Sequence, residues 1–365
     1  MIKYKQIKAQ IKEWIHEEKI KPDEKLQSEN ELVELFQVSR HTIRQALNEL
    51  VHEGWLYRQQ GRGTFCSSLI KKEPPQIDKT IGIITTSITD YIFPSIIGGI
   101  ESYLSDRGYN LLLASTNHDT ARERKCLDNM LSQKLDGLIV EPTKSAIYNP
   151  NLNTYLTIEK NKIPYVMINA AYSELQPASL TVDDEAGGFL AAEHFIKLGH
   201  KKIGGVFKID DLQGVNRMKG FMKAHREYNI PIQPDTIITF MTEDRGANLY
   251  EQMQNVLAER EHPTAFFCYN DHISIVLLDA IREKGLRVPE DISIIGFDDS
   301  QLALASEVKL TTITHPKVDM GKLAAKLIVD AIENGKEITI SDSVIFTPEL
   351  VIRNSTGPLP NSVKE

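Results

Sequence analysis

Arg40 and Arg44 stand four residues apart in the run Ser39-Arg40-His41-Thr42-Ile43-Arg44-Gln45. That is one helical turn, so both guanidinium groups leave the same face. A guanidinium fork matches the O6 and N7 acceptors of guanine, and each good bidentate pair carries ~1–3 kcal/mol of discrimination. Glu29, at the start of the preceding helix, can accept from cytosine N4 or orient an arginine. His41 and Thr42 lie at a helix start, where free N–H groups already favour phosphate. Tyr4 and Lys5 are further phosphate candidates. Gln60 and Gly61 form a hairpin tip thin enough to enter a minor groove or track a backbone, with Arg62 adding charge. These residue types in this order point to double-stranded DNA.

A second group of aromatic and polar residues lies where a small ligand of an α/β sheet would bind. Tyr91 and Phe93 follow an apolar run at 81–85, Glu141 and Lys144 follow 137–140, and Asn169 follows 165–168. Each therefore lies beyond the end of a short strand. Packing of these groups within their own loops is the alternative use, and a solvated charge is the alternative for Lys144.

The elements that must position the first group are legible. Ser28-Glu29-Asn30-Glu31 is a capping box, and Ser39 opens the next helix after a short turn. Ile43, Ala46, Leu47, Leu50 and Val51 recur on one side of that helix, which makes Ile43 and Leu47 core residues and not readers. An earlier helix over 4–18 carries Ile7, Ile11, Trp14 and Ile15 on one face and is broken by Ile20-Lys21-Pro22-Asp23. Gly54 ends the third helix, 55–58 starts a strand, and 64–66 returns from the tip at 59–63. Helix, helix, helix, hairpin is a winged helix–turn–helix, expected over residues 1–67.

Residues 68–79 change character. They are polar, carry Pro74-Pro75 and read as a linker. From residue 80 short apolar runs alternate with helical stretches. Strands are expected at 81–85, 111–114, 137–140 and 165–168, then at 203–207, 236–240, 265–268 and 293–296. Helices are expected at 95–106, 122–133, 187–198, 215–227, 250–259 and 273–284. This alternation implies parallel sheets covered on both faces, and two series imply two lobes. Ligands of such sheets bind beyond the carboxyl ends of the strands. The second domain is expected over 80–355, followed by a tail at 356–365.

At 365 residues and a net charge of −8 the chain is no general coat for nucleic acid. Residues 1–72 carry +3 and the remainder −11, which suits a DNA reader whose bulk stays off the DNA. Cys66, Cys126 and Cys268 are odd in number and lack metal spacing, so reduced thiols and a cytoplasmic setting are expected, with no metal. Residues 1–25 are charged and amphipathic, unlike a secretion signal, and no apolar run reaches the ~18 residues of a membrane span. Phosphate-binding and nucleophile-elbow motifs are absent from the sequence. Asp183-Asp184 and Asp298-Asp299 are adjacent pairs, poor geometry for an acid/base couple. No catalytic residues and no cofactor are expected, and an enzyme is the weaker alternative.

Several motifs then carry a resemblance. Leu26-x-Ser28-Glu29, Val38-Ser39-Arg40, Thr42-Ile43-Arg44, Glu53-Gly54 and Gly61-x-Gly63-Thr64-Phe65 resemble the GntR family of winged-helix regulators. Asp136-Gly137-Leu138-Ile139, Leu198-Gly199-His200, Arg217-Met218-Lys219-Gly220-Phe221, Asn270-Asp271 and residues 287–299 resemble the LacI/GalR regulators and type I periplasmic sugar-binding proteins. The pairing is similar to the arabinose-responsive repressors of Gram-positive bacteria, notably at 87–94 and 141–146. The resemblance implies an α+β winged helix–turn–helix N-terminal domain plus a two-lobed α/β effector domain with parallel sheets. It also implies a homodimer on two-fold related operator half-sites, released when L-arabinose binds as allosteric effector. A regulator of the same architecture answering another sugar is the alternative. On the resembling positions, Arg217, Asn270 and Asp298 are expected to hold sugar hydroxyls, with Asp183, Gln213 and His315 as further candidates. The LacI-like hinge helix has no counterpart in the linker sequence.

Overall fold

The computed structural model describes residues 3–16, 19–59, 62–67, 79–244 and 246–359. Two compact units divide the chain, Met1–Ile77 and Asp78–Glu365. The expected linker at 68–79 lies, apart from Lys79, outside the described residues, as do Gln60 and Gly61.

The first unit holds α1 (Lys3–His16), α2 (Glu29–Phe36), α3 (Arg40–His52), β1 (Leu56–Gln59) and β2 (Gly63–Cys66). Ser28 closes the capping box with Glu31, and the Ser39 side chain accepts from the Thr42 N–H. The strands pair antiparallel with Leu56 opposite Cys66 and Gln59 opposite Gly63. Ile7, Ile11, Leu32, Ile43, Leu47 and Leu50 form one buried cluster with Trp55 and Leu56. Each such side chain contributes ~1.5–3 kcal/mol by leaving water. This small core has one task visible in the geometry: it fixes α2 against α3, so that the outer face of α3 is held still.

The second unit continues with β3 (Thr80–Thr85), α4 (Phe93–Ser105), β4 (Asn110–Ser115), α5 (Thr120–Ser132), β5 (Gly137–Val140), α6 (Leu152–Lys160), β6 (Tyr165–Ile168) and β7 (Ser179–Val182). Then come α7 (Asp184–Lys197), β8 (Ile203–Lys208), α8 (Leu212–Glu227), β9 (Ile237–Phe240), α9 (Ala247–Ala258), β10 (Ala265–Cys268), α10 (Asp271–Glu283), β11 (Ser293–Asp298), α11 (Gln301–Ala305) and β12 (Thr311–Thr314). The last elements are α12 (Lys317–Asn334), β13 (Val344–Phe346) and β14 (Leu350–Val351).

Two six-stranded sheets result, in the orders β13-β7-β6-β5-β3-β4 and β14-β12-β11-β10-β8-β9. Among the described residues all pairs in these two sheets are parallel except β12 with β14. The chain crosses between lobes three times: after β7, after β12, and between β13 and β14. Strands β3 and β8 lie where each order reverses, so their carboxyl ends face a crevice.

Each sheet has two more strands than the alternation predicts. Strand β12 is Thr-Thr-Ile-Thr and reads as polar, yet Thr311, Thr312 and Ile313 are fully buried. Its hydroxyls are satisfied internally, Thr312 Oγ1 by the Asp271 carboxylate at 2.6 Å and Thr311 Oγ1 by Thr356 at 3.0 Å. Helices α5, α7, α8 and α10 begin two or three residues before their expected starts. Apolar periodicity marks the first buried residue, whereas the caps Asp119, Asp183, Asp211 and Asn270 stand a turn earlier. Past residue 355 the chain is docked: Gly357 O pairs with His200 Nε2 at 3.0 Å and Leu359 N–H donates to Leu198 O.

Candidate DNA-reading face and effector cleft

On the head, Glu29 sits in the first turn of α2 and faces α3. Its Oε2 accepts from Arg44 Nε at 2.8 Å and from Arg40 Nε at 3.1 Å. Burial disfavours the Glu29 charge, but the two arginines outweigh it and hold the carboxyl below its ordinary pKa. Both arginines remain more than half exposed, at 58% and 57% of the side chain. Among the described residues only the Nε hydrogens are engaged, which leaves the outer edge of each guanidinium available. His41 is exposed beside them, and Thr42 Oγ1 pairs with Ser39 Oγ at 2.8 Å in the cap. Lys5 is exposed on α1, while Tyr4 packs partly onto the core cluster. Gly63 has φ +123°, a backbone conformation that strains any residue carrying a Cβ, so the base of the wing favours glycine.

In the second unit the candidates gather along the crevice from both lobes. Arg217 is 2% exposed and held on three sides. Nε donates to Asp184 Oδ1 at 2.8 Å, Nη1 donates to Tyr269 O at 2.7 Å, and Nη2 lies 3.5 Å from Asp298 Oδ1. Its guanidinium carbon stacks 3.5 Å from the Phe297 ring centroid. The approach of α7 to α8 makes this possible. A Cβ on Gly188 would fall 2.0 Å from Arg217 O, and one on Gly220 would fall 1.9 Å from Glu185 O, so the helix backbones touch.

Asp298 lies at the carboxyl end of β11 with φ +93°, followed by Asp299 at +44°. Such backbone costs ~1–3 kcal/mol per residue and persists only when its surroundings enforce it. Asp271 does so, accepting from Ser300 N at 2.8 Å and Ser300 Oγ at 2.9 Å while Thr312 donates to its other oxygen. Arg353 Nη2 adds a bond to Asp299 Oδ1 at 2.6 Å.

From the first lobe, the Tyr91 hydroxyl donates to Asp298 Oδ2 at 2.7 Å, with Phe297 O at 2.9 Å, and accepts from Asp271 N–H at 3.1 Å. A polar chain runs beside it. Thr86 N–H and Oγ1 donate to Glu141 Oε2, Asn169 Nδ2 donates to Glu141 Oε1 at 2.9 Å, and His315 Nε2 donates to Asn169 Oδ1 at 3.0 Å. Because Asn169 gives its amine to Glu141, its oxygen faces His315 and fixes the proton on Nε2. His315 Nδ1 is then a buried acceptor with no partner among the described residues. Burial pushes the imidazole down to about 4, so it stays neutral at physiological pH.

Residues 192–356 match the periplasmic binding protein-like domain, and residues 3–66 match the bacterial regulatory proteins of the gntR family. An arabinose metabolism transcriptional repressor of Geobacillus stearothermophilus is 51% identical over 357 residues, covering 97% of both chains. The protein of the same name from Halalkalibacterium halodurans is 51% identical over 362 residues, covering 97% of this chain and 96% of that one. The chain belongs to the family of arabinose metabolism transcriptional repressors. Among solved structures, a LacI family transcriptional regulator from Enterococcus faecium with bound ribose aligns at a TM-score of 0.65 and 28% identity, covering 77% of this chain and 100% of that one. This repressor is thus a DNA-binding regulator and not an enzyme, with a GntR-type head on a LacI-like body. Among its described residues no helix is long and apolar enough to cross a membrane.

Several sequence candidates in the repressor are placed differently from their expected use. Asp183 is exposed and spends its oxygen on the α7 cap, accepting from Ala186 N at 2.9 Å; its neighbour Asp184 is the buried partner of Arg217. Asn270 likewise caps α10 through Oδ1, leaving its amine without a partner among the described residues. Phe93 is buried at the first position of α4, and Tyr91 engages by its hydroxyl. Lys144 pairs across the crevice with Glu243, and Gln213 is half-buried in the first turn of α8. Sequence reading missed Asp184, Lys208, Asp211, Tyr269 and Asp271. Lys208 is 2% exposed and bonds Asp211 Oδ2 at 2.8 Å, which also accepts from Tyr269 Oη at 2.8 Å. A lysine closing the apolar run Ile203–Lys208 was the available signal.

Burial pushes Asp184 and Asp271 up to about 7, partly opposed by Arg217 in the first case and Thr312 in the second. Burial also works against the Arg217 charge, but Asp184 and Asp298 more than compensate and raise its pKa.

Proposed function

We propose that this repressor holds two-fold related operator half-sites as a homodimer in the cytoplasm and leaves them when L-arabinose binds the crevice. The buried fork of Arg217 and Asp298 carries the reading. A guanidinium beside a carboxylate offers a donor and an acceptor to neighbouring hydroxyls of one neutral sugar. His315 Nδ1 adds a desolvated acceptor, and the free amine of Asn270 adds a donor. A sugar lacking one matching hydroxyl would leave a buried group unpaired, which is how such a site discriminates. Tyr91, Glu141, Asn169 and Gln213 complete the candidate wall. Arg40 and Arg44 are proposed to read base edges, Glu29 to orient them, and Tyr4, Lys5, His41, Thr42, Gln60 and Gly61 to hold the backbone.

The test is operator binding at one fixed salt concentration, titrated with L-arabinose, D-xylose, D-ribose and D-galactose. Release by L-arabinose alone is expected. Release by another pentose alone would reassign the effector, and no response to any sugar would end the reading.

A further inference from the structure

Helix α12 belongs to the first lobe. It packs on α4 and against β5 and β6. The fit to α4 is close enough that a Cβ on Gly321 would lie 2.2 Å from Ile96 O, and one on Gly99 2.4 Å from Val318 O. Its first residue, Lys317, sends its side chain to the other lobe. Nζ donates to the carbonyl oxygens of Asp298, Asp299 (3.0 Å) and His315 (3.2 Å). Three ammonium protons meet three main-chain acceptors, two of them in the positive-φ turn that presents Asp298.

Two features separate Lys317 from the groups that would touch a sugar. Its acceptors are main-chain carbonyls, whereas Tyr91 bonds the Asp298 carboxylate that a ligand would also use. The turn is also braced within its own lobe by Asp271 and Arg353, so Lys317 is one of several groups that hold it. What the ammonium adds is a tie between that turn and a helix seated in the opposite lobe.

We propose that Lys317 is a positioning residue that couples sugar occupancy at the Asp298 turn to the first lobe, and through it to operator release. The inference rests on the sugar-release reading above. Coupling between sites typically amounts to a 5- to 150-fold change in affinity, and it must be equal from both ends.

The test uses the full chain and the variants Lys317→Met and Lys317→Arg. L-Arabinose Kd is measured by calorimetry, and operator Kd at fixed salt with and without saturating L-arabinose. For Lys317→Met, sugar Kd and sugar-free operator Kd are expected to stay within about threefold of wild type while the sugar-induced loss of operator affinity shrinks about tenfold. Lys317→Arg, which retains donors for the carbonyls, is expected to keep most of the effect. An unchanged sugar response in Lys317→Met overturns the proposal. So does a sugar Kd weakened more than tenfold, since Lys317 would then merely build the pocket. If Lys317→Met does not fold, Lys317→Gln is judged by the same two criteria. If no sugar moves the wild-type operator affinity, the effector reading fails on wild type. Lys317 is then judged by amide hydrogen exchange of the sugar-free full chain: faster exchange at 298–300 and 318–322 in the variant is expected, and unchanged protection overturns the tie.

Discussion

The same chemical pair, arginine against carboxylate, occurs in the head and in the crevice under opposite solvent conditions. Arg40 and Arg44 share Glu29 with more than half of each side chain in water. Arg217 shares Asp184 and Asp298 with 2% and 4% exposure. An exposed pair is worth ~0–1 kcal/mol, screens with salt and can trade its partner for a base edge. A buried pair carries a desolvation cost of several kcal/mol per ion and tolerates no loss of a partner. The head therefore keeps its arginines oriented but exchangeable, and the body keeps its arginine as a fixed wall.

Four substitutions press on that contrast, two in the body and two in the head. Arg217→Ala strands two buried carboxylates and should cost ~3–5 kcal/mol of stability, read by urea denaturation of the full chain. Where it folds, operator binding should persist and sugar should no longer relieve it; an intact sugar response would remove Arg217 from the pocket. His315→Gln should alter the acid limb of stability. With a folded pKa of about 4 against an ordinary 6.5, the unfolded chain takes up a proton that the folded chain refuses. This contribution is full above pH 6.5 and is lost as pH falls towards 4, by up to ~3 kcal/mol. Asp184 and Asp271, raised to about 7, work in the opposite sense: the stability tied to their protonated forms is full below about pH 4 and is lost as pH rises towards 7. The wild-type-minus-variant difference from pH 7 to pH 4.5 is thus the quantity to plot, and a flat difference would reject a neutral buried imidazole.

In the head, Arg44→Ala should cost ~1–3 kcal/mol in specific operator binding, with a melting temperature near wild type. Full operator affinity in that variant would overturn the assignment of α3 as the reading helix. Glu29→Gln is the mildest change, under ~1 kcal/mol in stability. Released from their carboxylate, the arginines should bind random-sequence DNA more tightly and discriminate less. Unaltered discrimination at constant salt would show that Glu29 does not orient them.

The two regions also differed in how much the sequence disclosed. The head is built from local signals, and Ser28, Ser39, Gly54 and the Ile43-Leu47-Leu50 stripe mark its elements. The crevice is built from contacts between residues up to 207 positions apart, such as Tyr91 with Asp298, which no local pattern encodes. Caps misled the reading at one point in particular. Asp183 and Asp184 are adjacent acids at a helix start, and only the rotation of α7 against α8 assigns one to the cap and the other to Arg217. Strand β12 escaped because its threonines look solvated, and with it went the long helix α12 that follows.

The docking of residues 356–359 onto the second lobe has a consequence for the chain while it is being made. His200 donates to, and Ser293 and Leu198 accept from, residues synthesised long after them, and β14 completes the sheet only on the third crossing. The head, by contrast, has every strand and helix it needs once Cys66 has emerged. About 290 residues separate the two events, or roughly 15–60 s at ~5–20 residues per second. During that interval a finished head is tethered to a ribosome with its sensor still open. The core of the head can therefore close well before the second lobe has its last strand.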